Sequence, residues 1–121
     1  MSNAPFYLEV EGYPVTSWTK VPFTMTSQGI FFDITTSFGR KKLLLNTRAP
    51  KTLVRFAKGQ DSRNSVSSII KMGERDFGSL DLHPMQEQAE CDGILGMDFL
   101  SRQPVYFDLI RNCAYFGPSF Q

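Results

Sequence analysis

Residues 91–108 read CDGILGMDFLSRQPVYFD, and their pattern decides how the rest of the chain is organised. Gly93 to Gly96 is a short apolar strand bounded by glycines, and Gly96 lets a second backbone come close to it. Ile94 and Leu95 thread a buried layer. Met97 to Arg102 makes one or two helical turns that point Phe99 and Leu100 inward. The turns stop before Pro104, because a residue preceding proline is pushed out of helical geometry. Val105 to Ile110 and Cys113 to Phe116 then form a hairpin around Arg111-Asn112. An acidic Asp98 near the helix start caps or braces it, where negative charge is favoured.

Working outward, the chain upstream is mostly strand. Phe6 to Glu11 alternates imperfectly and ends at Gly12. Val21 to Ser27 and Ile30 to Ser37 flank Gln28-Gly29, a hairpin signal between Thr-, Phe- and Ile-rich runs. Phe38-Gly39 turns the chain again into Lys41 to Asn46. The triplet Leu43-Leu44-Leu45 predicts a strand buried on both faces. Leu53 to Phe56 is a short strand, and Lys58 to Ser65 is a polar loop. Val66 to Met72 and Asp76 to Leu82 form a hairpin around Gly73-Glu74-Arg75, and Pro84 to Glu90 is an acidic loop. Adjacent aromatics, Phe31-Phe32 and Tyr106-Phe107, must point to opposite faces, so one of each pair faces outward. That marks either a partner surface or the second face of a sandwiched sheet. The sum is one closed or nearly closed all-β domain with a single short helix.

Composition agrees and excludes several functions. The chain has 121 residues, 41% hydrophobic and 11 of them Phe, which fills one small core and leaves no room for a doubly wound α/β enzyme. Net charge is +1, which makes no electrostatic case for nucleic acid or an anionic membrane. The basic run Arg40-Lys41-Lys42 reads as a solvated turn. No apolar run reaches the roughly 18 residues of a membrane span. Cys91 and Cys113 are too few for a disulfide scaffold and lack His partners for zinc. They are expected as buried thiols, or as one bridge in an oxidising compartment. His83 beside Pro84 is a solvated loop residue. No metal or cofactor is expected, and no phosphate-cradling loop or Ser/His/Asp signature is present. Ser2-Asn3-Ala4 resembles the remnant of an affinity tag, so the domain is expected over residues 5–121, with 1–4 an expression scar. The place in the cell is open between cytoplasm and, if an export signal precedes this stretch, periplasm.

Two segments together resemble a known family. In residues 91–108 the order acidic-Gly-Ile-Leu-Gly-x-Asp-Phe-Leu, then Pro and an alternating strand, is similar to the C-terminal part of retropepsin-like aspartyl proteases, the retroviral and retrotransposon enzymes and their bacterial relatives. Residues 42–54, KLLLNTRAPKTLV, resemble the strand and loop that carry Asp-Thr/Ser-Gly-Ala in that family. On this alignment Asn46 stands at the catalytic aspartate, Thr47 matches, Arg48 replaces the glycine and Ala49 follows. The resemblance runs from Val21 to Phe116 and implies a retropepsin-like closed β-barrel. It implies structural roles for Asp92, Gly93, Ile94, Leu95, Gly96 and Asp98.

Three departures bear on activity. The family brings two aspartates together so that they share a proton and activate water. A neutral amide at Asn46 cannot take that proton. A guanidinium at Arg48 crowds a turn that glycine keeps open. Only 50 positions separate Asn46 from Gly96, a short interval for a flap hairpin and a further strand pair, with Lys58 to Ser65 as a stunted flap. Asp33, Asp81, Asp92, Asp98 and Asp108 read as structural or solvated. The expected function is therefore a pseudoenzyme that binds rather than cuts. The resemblance implies a homodimer, with Thr47 bracing paired loops and an extended peptide or protein partner meeting Asn46, Thr47, Arg48 and Ala49. Alternatives are a plain structural module, an aromatic interaction module, or an endopeptidase whose partner supplies Asp or whose Asp was engineered to Asn.

Overall fold

The computed structural model describes residues 17–56, 64–85 and 91–120. The strand expected over Phe6 to Glu11, residues 1–4, most of the loop from Lys58 to Ser65 and most of that from Pro84 to Glu90 lie outside the described residues. The elements are β1 (Thr19–Pro22), β2 (Thr24–Thr26), β3 (Gly29–Thr36), β4 (Gly39–Leu45), β5 (Leu53–Val54), β6 (Val66–Met72), β7 (Arg75–Pro84), β8 (Gly93–Leu95), α1 (Met97–Leu100), β9 (Val105–Asp108) and β10 (Cys113–Phe116).

Six strands close on themselves. Pairing runs β3-β4-β8-β5-β7-β6, and β6 returns to β3 through Thr35–Lys71 and Thr36–Ile70. β2 hangs on the outside of β3, and β1-β10-β9 form a separate three-stranded sheet. Closure removes the exposed edges that an open sheet of this size would carry. Alternation sorts the walls: Phe32, Ile34, Leu43, Val54, Ile70, Leu82 and Leu95 fill the interior with no exposure. No helix among the described residues is long and apolar enough to cross a membrane.

The single strand expected over Val21 to Ser27 is two strands. Pro22 offers no N–H, so the ladder breaks there. Phe23 donates its N–H to Asn112 O at 3.0 Å while the chain passes from the small sheet to the barrel. Of the leucine triplet only Leu43 is fully buried; Leu44 and Leu45 are half-buried, because β4 is one wall of a barrel and not the middle of a sandwich. Arg40-Lys41-Lys42 lies in β4 and is not a turn; Lys41 Nζ donates to Arg55 O at 3.4 Å. His83 and Pro84 belong to β7 and not to a loop. The parallel ladder explains how: His83 N–H donates to Thr52 O and Met85 N–H to Val54 O, both at 3.0 Å, so Pro84 falls where no donor is needed. β5 is shorter than expected, Arg75 begins β7, α1 ends at Leu100, and β9 ends at Asp108.

Phenylalanines join the two sheets. Phe32 meets Phe116 at 5.8 Å and Phe23 at 5.8 Å, and Phe77 meets Phe99 and Phe116 at 5.2 and 5.4 Å. These contacts are near edge-to-face, the favoured arrangement. Phe32 points inward and Phe31 outward, the latter only 6% exposed. Phe107 packs on the core while Tyr106 lies beside Tyr115 on the outer face. Cys91 and Cys113 are free thiols.

One cation also ties the small sheet to the barrel. Arg75 donates to Phe116 O at 3.0 Å, Gly117 O at 2.8 Å and Thr19 Oγ1 at 3.3 Å, and lies 4.4 Å over the Phe77 ring. Burial lowers its pKa from the usual value, yet a guanidinium remains charged. Arg75→Ala is expected to cost about 2–4 kcal/mol, since two carbonyls lose charge-assisted donors, and Arg75→Lys to recover only part of it. Chemical denaturation of both variants measures this; a loss under 0.5 kcal/mol in the alanine variant refutes the clamp.

The β9–β10 turn makes a second prediction. Asp108 Oδ1 accepts from Ile110 and Arg111 N–H at 3.1 Å each, and Oδ2 from Arg111 NH1 at 3.0 Å. The Arg111 N–H, then its guanidinium, hold the carboxyl below its ordinary pKa. A depressed pKa in the folded state means the contribution is complete above the unfolded value near 4 and is lost as pH falls through the folded one. Asp108→Asn should therefore lower Tm at neutral pH, and the two melting curves should converge in strong acid.

Candidate functional site

β4 and β5 run on either side of β8, and the chain between them arches over the end of β8. Leu43, Leu44 and Leu45 pair in parallel with Gly93, Ile94 and Leu95; Leu53 and Val54 pair antiparallel with Ile94 and Gly93. Residues 46–52 are the arch, and Gly96 passes beneath it into α1. The space is tight. A Cβ at Gly96 would lie 2.5 Å from Lys51 O and 2.9 Å from Ala49 O. A Cβ at Gly93 would strike Leu53 O and sit 2.9 Å from Leu43 Cδ2.

Hydrogen bonds lock the arch to what it covers. Asn46 N–H donates to Leu95 O at 3.1 Å. Helix α1 begins with orphan donors, as every helix does; Met97 N–H gives to Ala49 O at 2.8 Å and Asp98 N–H to Pro50 O at 3.2 Å. Asp98 makes no side-chain cap on α1 and braces the arch instead, accepting from Thr52 N–H at 3.0 Å and Thr52 Oγ1–H at 2.7 Å. That hydroxyl accepts from Gly96 N–H at 3.0 Å, inside a fully buried Thr52. Asp92 is likewise occupied, its Oδ2 accepting from Lys42 N–H at 2.8 Å.

Asn46, Thr47, Arg48 and Ala49 come together as one turn. Asn46 Oδ1 accepts from Arg48 N–H at 2.9 Å, and Asn46 O accepts from Ala49 N–H at 3.2 Å, an Asx turn inside a β-turn. Asn46 and Ala49 are half-buried; Thr47 and Arg48 are exposed. Arg48 has no ion-pair partner among the described residues. Such a turn offers hydrogen-bond donors and a cation. Its side chains are an amide, a hydroxyl, a guanidinium and a methyl group, with no carboxylate among them.

Beside the turn the outer wall carries a row that sequence reading did not find. Register places Phe31, Leu44, Ile94 and Leu53 next to one another across four strands, with Thr24 at one end and His83 at the other. Leu44, Ile94 and Leu53 are half-buried. A groove of about 270 Å³ with Thr24, Phe31, Lys42 and Asp92 adjoins one end, and one of about 520 Å³ with Pro50, Lys51, His83 and Arg102 adjoins the other. Leu44 lies two residues before Asn46, about 7 Å of strand. Asp33 and Asp81 are exposed on β3 and β7, and Asp81 lines the larger groove together with Asp98. Between Asn46 and Gly96 the described residues hold β5, one hairpin, β6–β7, and β8. No group of His, Cys, Asp and Glu able to hold a metal occurs among the described residues.

Gly93→Ala and Gly96→Ala are each expected to cost about 3 kcal/mol or more, because backbone must move to admit the methyl. Thr52→Val, which keeps the shape and removes the hydroxyl, should cost about 1–3 kcal/mol by orphaning Gly96 N–H and one Asp98 oxygen. Thermal melts of the three variants check both statements; an unchanged Tm in the Gly96 variant contradicts the crossing as drawn.

No family model and no curated protein matches the chain. Among solved structures it is similar to the crystal structure of a retropepsin-like aspartic protease from Rickettsia conorii, with a TM-score of 0.59 over 85% of this chain and 93% of that one, at 12% sequence identity. An identity that low speaks for the fold alone. With its closed six-stranded barrel, its near absence of helix and this neighbour, the chain has the retropepsin-like fold.

Proposed function

We propose that this chain is a retropepsin-fold domain without proteolytic activity, which binds an extended peptide segment at Asn46, Thr47, Arg48 and Ala49. The observation that carries the reading is the Asx turn, in which Asn46 Oδ1 accepts from Arg48 N–H at the tip of the arch over β8. The position that resembles the family's acid holds an amide, and the adjacent charge is positive. General acid–base help is worth about 10²–10⁴-fold, and the shared-proton pair supplies all of it in an aspartic protease. Fold similarity does not restore what those side chains lack. The half-buried Leu44, Ile94 and Leu53 of the outer row support the binding half of the reading, since they provide an apolar wall next to the turn.

A homodimer belongs to the same proposal. Among the described residues β9 pairs with β10 alone, and its other edge would suit a second copy. An open edge also suits strand addition by a peptide.

A mixed peptide library at acid and neutral pH tests the first claim, with wild type beside the Asn46→Asp, Arg48→Gly double variant. Wild type is expected to release no fragments; cleavage by it ends the pseudoenzyme reading. Cleavage gained by the double variant alone identifies the two substitutions as what removed the activity. Light scattering of gel-filtered protein tests the second claim, and a strict monomer at high concentration removes the dimer.

A further inference from the structure

The turn at the end of β4 is rich in donors and poor in acceptors. Asn46 Oδ1 is taken by Arg48 N–H, so its amide presents Nδ2–H groups. Thr47 adds an exposed hydroxyl and Arg48 an exposed guanidinium. Among the described residues no carboxylate is hydrogen-bonded or ion-paired to these groups. Asp92 is held by Lys42 N–H, both oxygens of Asp98 are held by Thr52, and Arg48 has no ion pair among the described residues. The turn is also rigid, since Asn46, Ala49 and Pro50 are each bonded to backbone of the crossing. A cation carried on a rigid turn with flanking donors recognises an oxyanion, and a guanidinium fits a carboxylate through two parallel bonds.

We infer that Asn46, Thr47 and Arg48 form a carboxylate-recognition site, and that the ligand is an extended segment carrying an Asp or Glu side chain two residues from an apolar one. This rests on the peptide-binding reading above and specifies its ligand. The spacing comes from the wall itself. Leu44 and Ile94 stand beside one another in the outer row, and Asn46 follows Leu44 by two positions. An extended peptide repeats its same-face side chains at the same interval of about 7 Å. An apolar side chain on Leu44 and Ile94 therefore brings the second residue along the ligand to the turn, on the same face. A residue one position away points to the other face.

Three amidated, fluorescein-labelled peptides test this by polarisation: Thr-Leu-Thr-Asp-Thr, its Asn counterpart Thr-Leu-Thr-Asn-Thr, and the shifted Thr-Leu-Asp-Thr-Thr. The first is expected to bind about tenfold more tightly than either control, with the difference shrinking as salt is added. Arg48→Gly should erase the preference while leaving weak binding of all three. Arg48→Glu should favour a Thr-Leu-Thr-Lys-Thr peptide instead. Arg48 is exposed, so both variants are expected to melt as wild type does. Equal binding of Asp and Asn peptides overturns the carboxylate site and leaves the peptide-binding reading standing. Equal binding of the shifted peptide overturns the spacing. Absence of binding by any peptide overturns both readings together.

Discussion

The structure depends on one crossing, where the arch of residues 46–52 passes over the end of β8. β8 is only three residues long, yet it pairs on both sides and joins β4 to β5 in the closed barrel. Backbone must approach backbone there more closely than any Cβ permits, which leaves glycine at Gly93 and Gly96. Close approach alone would orphan polar groups in the interior. The buried Thr52 hydroxyl resolves this by donating to Asp98 and accepting from Gly96 N–H in the same instant. An unmade hydrogen bond in such a place costs about 1–3 kcal/mol, so the three residues act as a unit. The exposed turn from Asn46 to Ala49 inherits its rigidity from that node.

The second constraint is the attachment of a sheet too small to stand alone. A three-stranded sheet of four-residue strands buries little by itself. Phe116 and Phe107 reach from it into the barrel core, and Arg75 reaches back from the barrel to its strand-end carbonyls. The apolar contacts supply most of the energy, since each aromatic buries about 150–250 Å². Arg75 adds direction, because a planar donor over Phe77 fixes how the sheet is rotated against the barrel.

Much of this was legible in residues 91–108 and 42–54, because glycines at close approaches, alternation and a proline stop are local signals. The loop at Asn46 was reached only through the resemblance of residues 42–54, since Asn46 itself read as the end of a strand. What escaped reading was set by partners distant in sequence. The role of Thr52 required knowing that Asp98, 46 positions away, lies against it. Arg75 looked like a turn residue, since nothing local shows that its partners are 41 and 42 positions downstream. His83-Pro84 looked like a loop because proline breaks most strands, and only the parallel pairing with β5 reveals that its missing donor falls where none is used. The outer row from Phe31 to Leu53 assembles from four strands, so no single strand carries its pattern.

Electrostatics links the two halves of the proposed function. Were two copies to bring their turns together, two guanidiniums about 7 Å apart would repel by about 0.6 kcal/mol in water and by about 2.4 kcal/mol at the effective dielectric of a protein surface. A stable pair of strand edges tolerates the smaller figure and is strained by the larger. A carboxylate between the two cations reverses the sign at either dielectric, since each cation then has an opposite charge nearer than its like one. On the proposed reading, the amide at Asn46 and the cation at Arg48 together would make an anionic segment the natural occupant, and assembly would be tied to the presence of that segment.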